Sequence, residues 1–206
     1  MTDPLLIDVP ERLLTNRLVL RAPRPGDGAA LNEAVADSLD ELRPWMPWAQ
    51  QAPSLDESEA LARGAHAKFL QRADIVYSIW EHDGQGNEQR LVGGSGLHRI
   101  DWSVPRFEIG YWRRTGHAGK GFITEAVSAI SRMAFDALAA QRVEIRMDER
   151  NTASWKVAER AGFTLEAVLR NDARDVAGGV RNTRVYARVR GVEEPASVED
   201  GAAAAG

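Results

Sequence analysis

The sequence predicts a mixed α+β domain, and three features carry the prediction. Several short segments alternate apolar and polar residues with the period of two that sends successive side chains to opposite faces of a strand. Others space their apolar residues by three and four, the pattern of a helix with one buried face. The two patterns meet at residues 107–138. There Phe107, Ile109 and Tyr111 alternate with Glu108, Gly110 and Trp112; a loop with Gly116, Gly119 and Gly121 follows; then Ile123, Val127, Ile130, Ala134 and Leu138 mark one face of a long helix.

Taken in order, residues 17–22 form a half-buried strand on Leu18 and Leu20, stopped by Pro23-Arg24-Pro25-Gly26. Asp27 is placed to cap a helix that runs to about Leu39 on Ala30, Leu31, Ala34 and Val35. The stretch Trp45-Met46-Pro47-Trp48 cannot be regular, because proline confines the residue before it to extended geometry. Ser54 caps a second helix reaching about Gln71, and Glu57 three residues on completes a capping box. Strands follow at 75–82 and 91–99 around the turn-rich residues 83–87. The central strand begins after Pro105, and its long helix ends near Ala140. Residues 143–148 form the next strand. Asn151 caps the short helix 152–161, which Gly162 stops. Residues 163–169 and 184–189 close the chain as an antiparallel pair across a loop at 171–179. Residues 1–12 stand as an N-terminal extension and 13–190 as the domain. In 191–206 Glu, Pro, Ser and Ala dominate, and that tail is expected to be disordered.

Composition narrows the chemistry. A chain of 206 residues with 44% hydrophobic content can bury a core of its own. It has no cysteine, which excludes disulfides, thiolate metal sites and cysteine nucleophiles. No pair of histidines has metal-ligand spacing, so no catalytic metal is expected. A net charge of −4 argues against an extended nucleic-acid surface. The first twelve residues do not read as a signal peptide, and no window has the apolar length of a membrane span. A cytoplasmic protein with no membrane and no nucleic-acid partner is expected.

The glycine-bearing loop at 113–121 is the stretch with chemical content. Unpaired N–H groups of a first helical turn point outward and carry partial positive charge, so a strand, a glycine loop and a helix N-terminus can hold an anion. The same stretch also fits an ordinary strand-to-helix turn. Two familiar phosphate loops are ruled out. Gly116-His117-Ala118-Gly119-Lys120-Gly121 lacks Walker spacing and has no Ser or Thr after its lysine. Gly94-Ser95-Gly96 is followed by Arg99 where a dinucleotide fingerprint needs its third glycine.

The chain resembles the GNAT acyl-CoA N-acyltransferases, in the branch typified by the RimJ/RimL ribosomal-protein N-terminal acetyltransferases. The likeness covers roughly Leu14 to Arg190. It rests on Thr15-Asn16-Arg17-Leu18-Val19-Leu20-Arg21, Leu42-Arg43-Pro44-Trp45-Met46-Pro47-Trp48, Glu108-Ile109-Gly110-Tyr111-Trp112, Gly119-Lys120-Gly121-Phe122-Ile123-Thr124-Glu125-Ala126, and Asn151-Thr152-Ala153-Ser154 leading to Ala161-Gly162-Phe163. The superfamily's acyl-CoA loop, Gln/Arg-x-x-Gly-x-Gly/Ala, falls on Ala118 to Ile123, where only Gly121 keeps the pattern.

The resemblance implies a GNAT fold: a mostly antiparallel twisted sheet of about seven strands flanked by four helices. One parallel pair, ending at Tyr111–Arg113 and at Asp148, is splayed to admit the pantetheine arm of acetyl-CoA. Backbone groups of Tyr111 and Arg113 would meet that arm. Gly116, His117, Ala118, Gly119, Lys120, Gly121 and Phe122, with Arg114 near, would hold the diphosphate. It implies direct acetyl transfer to a primary amine, most simply the N-terminal amine of a ribosomal or other protein; related branches take polyamines, aminoglycosides or amino acids. A non-catalytic acyl-CoA-binding regulator is the alternative of another class. Dimers are common among related proteins.

Roles within the site follow on the same terms. Glu108 lies on the central strand as a candidate base, or as a structural ion-pair carboxylate; Asp148 is the weaker acid. Ser154 would stabilise or protonate the leaving sulfur, or else help cap its helix, and Asn151 divides between cap and pantetheine contact. Lys156 would reach the CoA nucleotide, or else is an exposed helix lysine. Ala158 stands where many related enzymes place an acidic tyrosine. Trp45, Trp48 and His98 are the acceptor-side candidates, the tryptophans alternatively packing helices onto the sheet.

Overall fold

Leu18 and Leu20 turn to one face of the sheet and Val19 to the other, and all three are fully buried. The sheet is therefore covered on both sides. In the computed structural model, which describes residues 3–195, it has eight strands in the order β1-β2-β3-β4-β5-β6-β8-β7. These are β1 (Arg12–Leu14), β2 (Leu18–Arg21), β3 (Ile75–His82), β4 (Glu88–Asp101), β5 (Arg106–Arg113), β6 (Arg142–Asp148), β7 (Thr164–Arg174) and β8 (Val180–Val189). The β5–β6 pair is parallel and the others are antiparallel. A parallel neighbour needs a crossover. Helix α4 (Phe122–Ala137) supplies it and buries Val127, Ile130 and Ala134 in the larger core. Full burial of a Val or Ile side chain is worth about 1.5–3 kcal/mol, so that face alone fixes where the helix lies.

Helices α1 (Gly28–Ala36), α2 (Leu39–Leu42) and α3 (Leu55–Leu70) separate β2 from β3, and α5 (Thr152–Arg160) separates β6 from β7. Ser54 and Glu57 close the expected capping box, and the Asn151 side chain accepts from Ser154 N at 3.1 Å. Gly162 ends α5 at φ +81°.

Four expectations are revised. Asp27 makes no side-chain cap. Its carboxylate takes the two Nη nitrogens of Arg21 at 2.6 and 2.7 Å, because Arg21 is buried and needs a counter-ion. Strand β1 and the single turn α2 are too short to carry a period in the sequence. The last two strands are longer than predicted: Asn171 sits at φ +52° within a ladder irregularity, and the turn proper is 175–179, where Asp175 Oδ1 accepts from Ala177 N and Gly179 N. Residues of the supposed N-terminal extension pack on the domain, with Val9 buried and Tyr77 donating its hydroxyl to Pro10 O at 2.6 Å. Of the tail expected to be disordered, 196–206 lie outside the described residues.

Candidate active site

The parallel pair parts early. Arg106, Phe107 and Glu108 pair with Arg142, Val143 and Glu144, and the ladder ends there although both strands continue, to Arg113 and Asp148. Each strand remains paired on its outer side, β5 with β4 as far as Arg113 and β6 with β8 as far as Asp148. The result is a wedge between Ile109–Arg113 and Ile145–Asp148. A cleft of about 720 Å³ runs through it, lined among others by Ile109, Tyr111, Ile145, Met147, Asn151 and Ser154.

Beyond the point of separation two hydroxyls meet across the gap. Tyr111 on β5 donates to Ser154 O at 2.9 Å, and its oxygen lies 3.0 Å from Ser154 Oγ on α5. Asn151 caps the helix by its own side chain, so the Ser154 hydroxyl is not the cap. Burial pushes the Tyr111 phenol up to about 12, which keeps it protonated. Ala158 is fully buried and leaves no space for a ring, so the phenol beside Ser154 comes from β5 instead.

The loop at the end of β5 carries the second feature. Gly116, Gly119 and Gly121 take φ of +84°, +73° and +77°, a region where a Cβ costs strain. A Cβ at 116 or 119 would touch nothing within 4 Å. The consecutive N–H groups from Ala118 to Thr124 find no acceptor among the described residues, and Gly121 precedes α4 with no side-chain cap. His117 is buried with Nδ1 unpartnered, and burial lowers its pKa, favouring the neutral ring. Such a run of free main-chain donors suits an anion such as a diphosphate. Lys120 is exposed, while Arg17 donates to Lys120 O at 2.7 Å and pairs with Glu125 at 2.6 Å.

Arg114 departs from expectation. Its buried guanidinium turns away from the loop to Asp37 and Glu33, with Nε 2.9 Å from Asp37 Oδ2 and Nη2 2.5 Å from Glu33 Oε1. Two carboxylates already occupy it, so its side chain pins the loop to α1 and does not face an anion. The Arg113 guanidinium is likewise held by Glu41 at 2.5 Å, leaving only its backbone for the cleft.

On the opposite side, Trp45 and Trp48 line the cleft and remain partly exposed, and Trp48 meets Trp112 edge-on at 6.1 Å. Both thus border the cleft, and Trp48 in addition packs onto the sheet through Trp112 of β5. His98 also lines the cleft, its Nδ1 3.2 Å from Asp74 Oδ1. A Cβ on Gly110 would come within 3.1 Å of His98 Cδ2 and 3.2 Å of Nε2, so the glycine makes room for the ring over β5. Glu108 is not brought into this group. It lines a separate pocket of about 210 Å³ with Arg99, Arg106, Phe107, Glu144 and Arg146, and accepts from Arg99 Nη1 at 3.0 Å. Burial and the nearby Glu144 raise its pKa, against the pull of Arg99. Asp148 is held low chiefly by Arg150, 2.7 Å away. Lys156 lies over Trp155.

Sequence reasoning missed Asp74, Gly110 and the Tyr111 hydroxyl. Only the glycine had a signal, since glycine inside a strand marks a close approach.

A family model described as the acetyltransferase (GNAT) domain matches residues 17–164. The ribosomal-protein-serine acetyltransferase of Escherichia coli strain K12 is 33% identical over 181 residues, 85% of this chain and 94% of its own. The uncharacterized N-acetyltransferase p20 of Bacillus licheniformis is 36% identical over 171 residues, 78% of this chain and 86% of its own. The solved structure of RimL, a ribosomal L7/L12 alpha-N-protein acetyltransferase in complex with coenzyme A, has a similar fold. It superposes with a TM-score of 0.77 at 23% identity, covering 88% of this chain and 97% of that one. With the parted parallel strands and the glycine loop between them, these likenesses establish that the chain belongs to the GNAT family of acetyltransferases.

Proposed function

We propose that the protein transfers the acetyl group of acetyl-CoA to the α-amine of a protein or peptide N-terminus, of the kind its ribosomal-protein-serine acetyltransferase relative is named for. One observation carries the reading: β5 and β6 separate just beyond Glu108 and Glu144, and the Tyr111–Ser154 hydroxyl pair stands in the gap. A parted sheet edge offers unpaired main-chain groups to an amide-bearing arm, much as an edge accepts a peptide.

In this reading the free N–H groups from Ala118 to Thr124 and His117 hold the diphosphate, and Tyr111, Arg113 and Asn151 border the pantetheine. Acetyl-CoA supplies an activated acyl carbon. The amine nitrogen forms a bond to that carbon, the C–S bond breaks, and the sulfur needs a proton or a donor. Tyr111 gives its own proton to Ser154 O, so across the 3.0 Å contact Ser154 Oγ–H donates to the Tyr111 oxygen, and that hydrogen turns from Tyr111 to reach the sulfur. Trp45 and Trp48 flank the open side, where the chain bearing the amine enters.

Thiol release with serine-initiated peptides tests the reading, alongside polyamines and aminoglycosides and with products identified by mass spectrometry. Acetylated peptide α-amine supports it. Turnover of a small amine alone would move the acceptor to that class, and acetyl-CoA binding without turnover of any amine would favour a regulator.

A further inference from the structure

The reaction also needs a base, because an N-terminal amine enters largely as ammonium and must lose a proton to attack. Glu108 stands opposite His98 across the β4–β5 ladder, but its carboxylate is tied to Arg99 and lines a neighbouring pocket that meets the main cleft at Arg146. His98 is placed well. It lies on β4, next to β5, and its ring covers Gly110, two residues beyond the last paired position of the parallel strands. The ring lines the same cleft as Tyr111 and Ser154, on the side of Trp45 and Trp48. Asp74 fixes its orientation: Oδ1 is 3.2 Å from Nδ1, while Lys68 Nζ lies 3.6 Å from the other carboxylate oxygen. With Nδ1–H donated to the carboxylate, Nε2 is the ring nitrogen that keeps a lone pair, on the side of the ring that lies over Gly110.

Resting on the acetyl-transfer reading above, we infer that His98, oriented by Asp74, is the general base of the reaction. The ammonium gives one proton to His98 Nε2, the freed nitrogen pair forms the C–N bond, the C–S pair goes to sulfur, and Ser154 Oγ–H protonates it; the second proton of the now amide nitrogen replaces the one Ser154 gave up. The imidazolium then returns its proton to solvent. The net change is one ammonium and one thioester converted to one amide, one thiol and one proton. Asp74 acts through His98 and is a positioning residue. The other charged groups around the ring are Lys68 on α3, Arg99 at the end of the same strand, Glu108 on β5, and Glu144 and Arg146 on β6.

The experiment uses the whole chain and two readouts: acetylation of a serine-initiated peptide, and the slow enzyme-dependent hydrolysis of acetyl-CoA with no amine present. His98→Gln is expected to lower kcat about 100-fold or more, the usual worth of a positioned base, with acetyl-CoA affinity unchanged. The fall in rate on the acid side of the pH profile, where a protonated ring cannot act, is expected to vanish. Asp74→Asn should lower kcat by at least about tenfold, by loosening the tautomer on which the base depends. His98→Gly should regain rate when imidazole is added, which a purely structural role would not produce. His98→Gln within threefold of the parent in both reactions overturns the assignment, as does absence of imidazole rescue, or loss of the acid limb in Glu108→Gln but not His98→Gln. If His98→Gln slows hydrolysis while no peptide is acetylated by the parent, the base assignment stands and the acceptor reading falls.

Discussion

Gly121→Ala isolates the anion loop from general stability, because the fold provides its own control. Gly121 sits at φ +77°, and an added Cβ would lie 3.5 Å from Arg17 Nη2, an ordinary contact. Gly162, at the end of α5, sits at φ +81° with nothing within 4 Å of an added Cβ. Both alanines therefore meet the same left-handed strain, about 1–2 kcal/mol, and neither meets a clash. For a chain of this size each should lower Tm by about 2–4 °C per kcal/mol. The two part company when acetyl-CoA is added. At a concentration 100 times Kd a ligand stabilises by about 2.7 kcal/mol. If a methyl group beside the α4 N-terminus weakens binding tenfold, the same concentration gives only about 1.4 kcal/mol. Thermal unfolding with and without acetyl-CoA should then show a full ligand shift for Gly162→Ala and roughly half for Gly121→Ala, with calorimetry giving Kd directly. Equal ligand shifts in the two variants would refute the placement of the diphosphate on this loop.

Three further outcomes are expected. Ser154→Ala and Tyr111→Phe should each cut kcat roughly 10- to 100-fold at unchanged acetyl-CoA affinity, and the double variant should lose little more, as expected of one coupled pair; steady-state kinetics check this. Gly96→Ala would place a Cβ 2.6 Å from Ile75 O and 2.7 Å from Val76 Cα, both backbone, so it should cost at least about 1–3 kcal/mol in denaturant unfolding. Arg150 holds Asp148 below the ordinary aspartate value, so this group's stabilisation is present above that value, about 3.9, and is lost as pH falls through the lower folded value. Asp148→Asn should flatten that acid-side loss in stability measured against pH.

Much of the fold was legible because its main elements are long and periodic. The capping box at Ser54 and the alternation at 107–112 needed no tertiary information. Strand β1 escaped because three residues carry no period, and it exists only by pairing with β2. Asp27 misled because the sequence offers a cap donor next to a helix but does not show Arg21 buried beside it. The same limit governs the site. The glycine loop reads locally, since its chemistry is in the main chain. The direction in which Arg114 turns is set by Glu33 and Asp37 on another element, more than seventy residues away in sequence. The neighbours of His98 are likewise assembled only by the sheet: Asp74 precedes β3 and Gly110 lies within β5.

The short parallel ladder has a mechanical consequence. Three residue pairs rivet two ribbons, β1–β5 and β6–β8, at one end only. Beyond the rivet, α4 rests on β4 and β5, α5 rests on β6, β7 and β8, and the helices press on one another. The aperture is thus propped by a strut of two helices and laced by the Tyr111–Ser154 tie. Its width can be tuned from the helix–helix seam, by side chains that never touch either substrate.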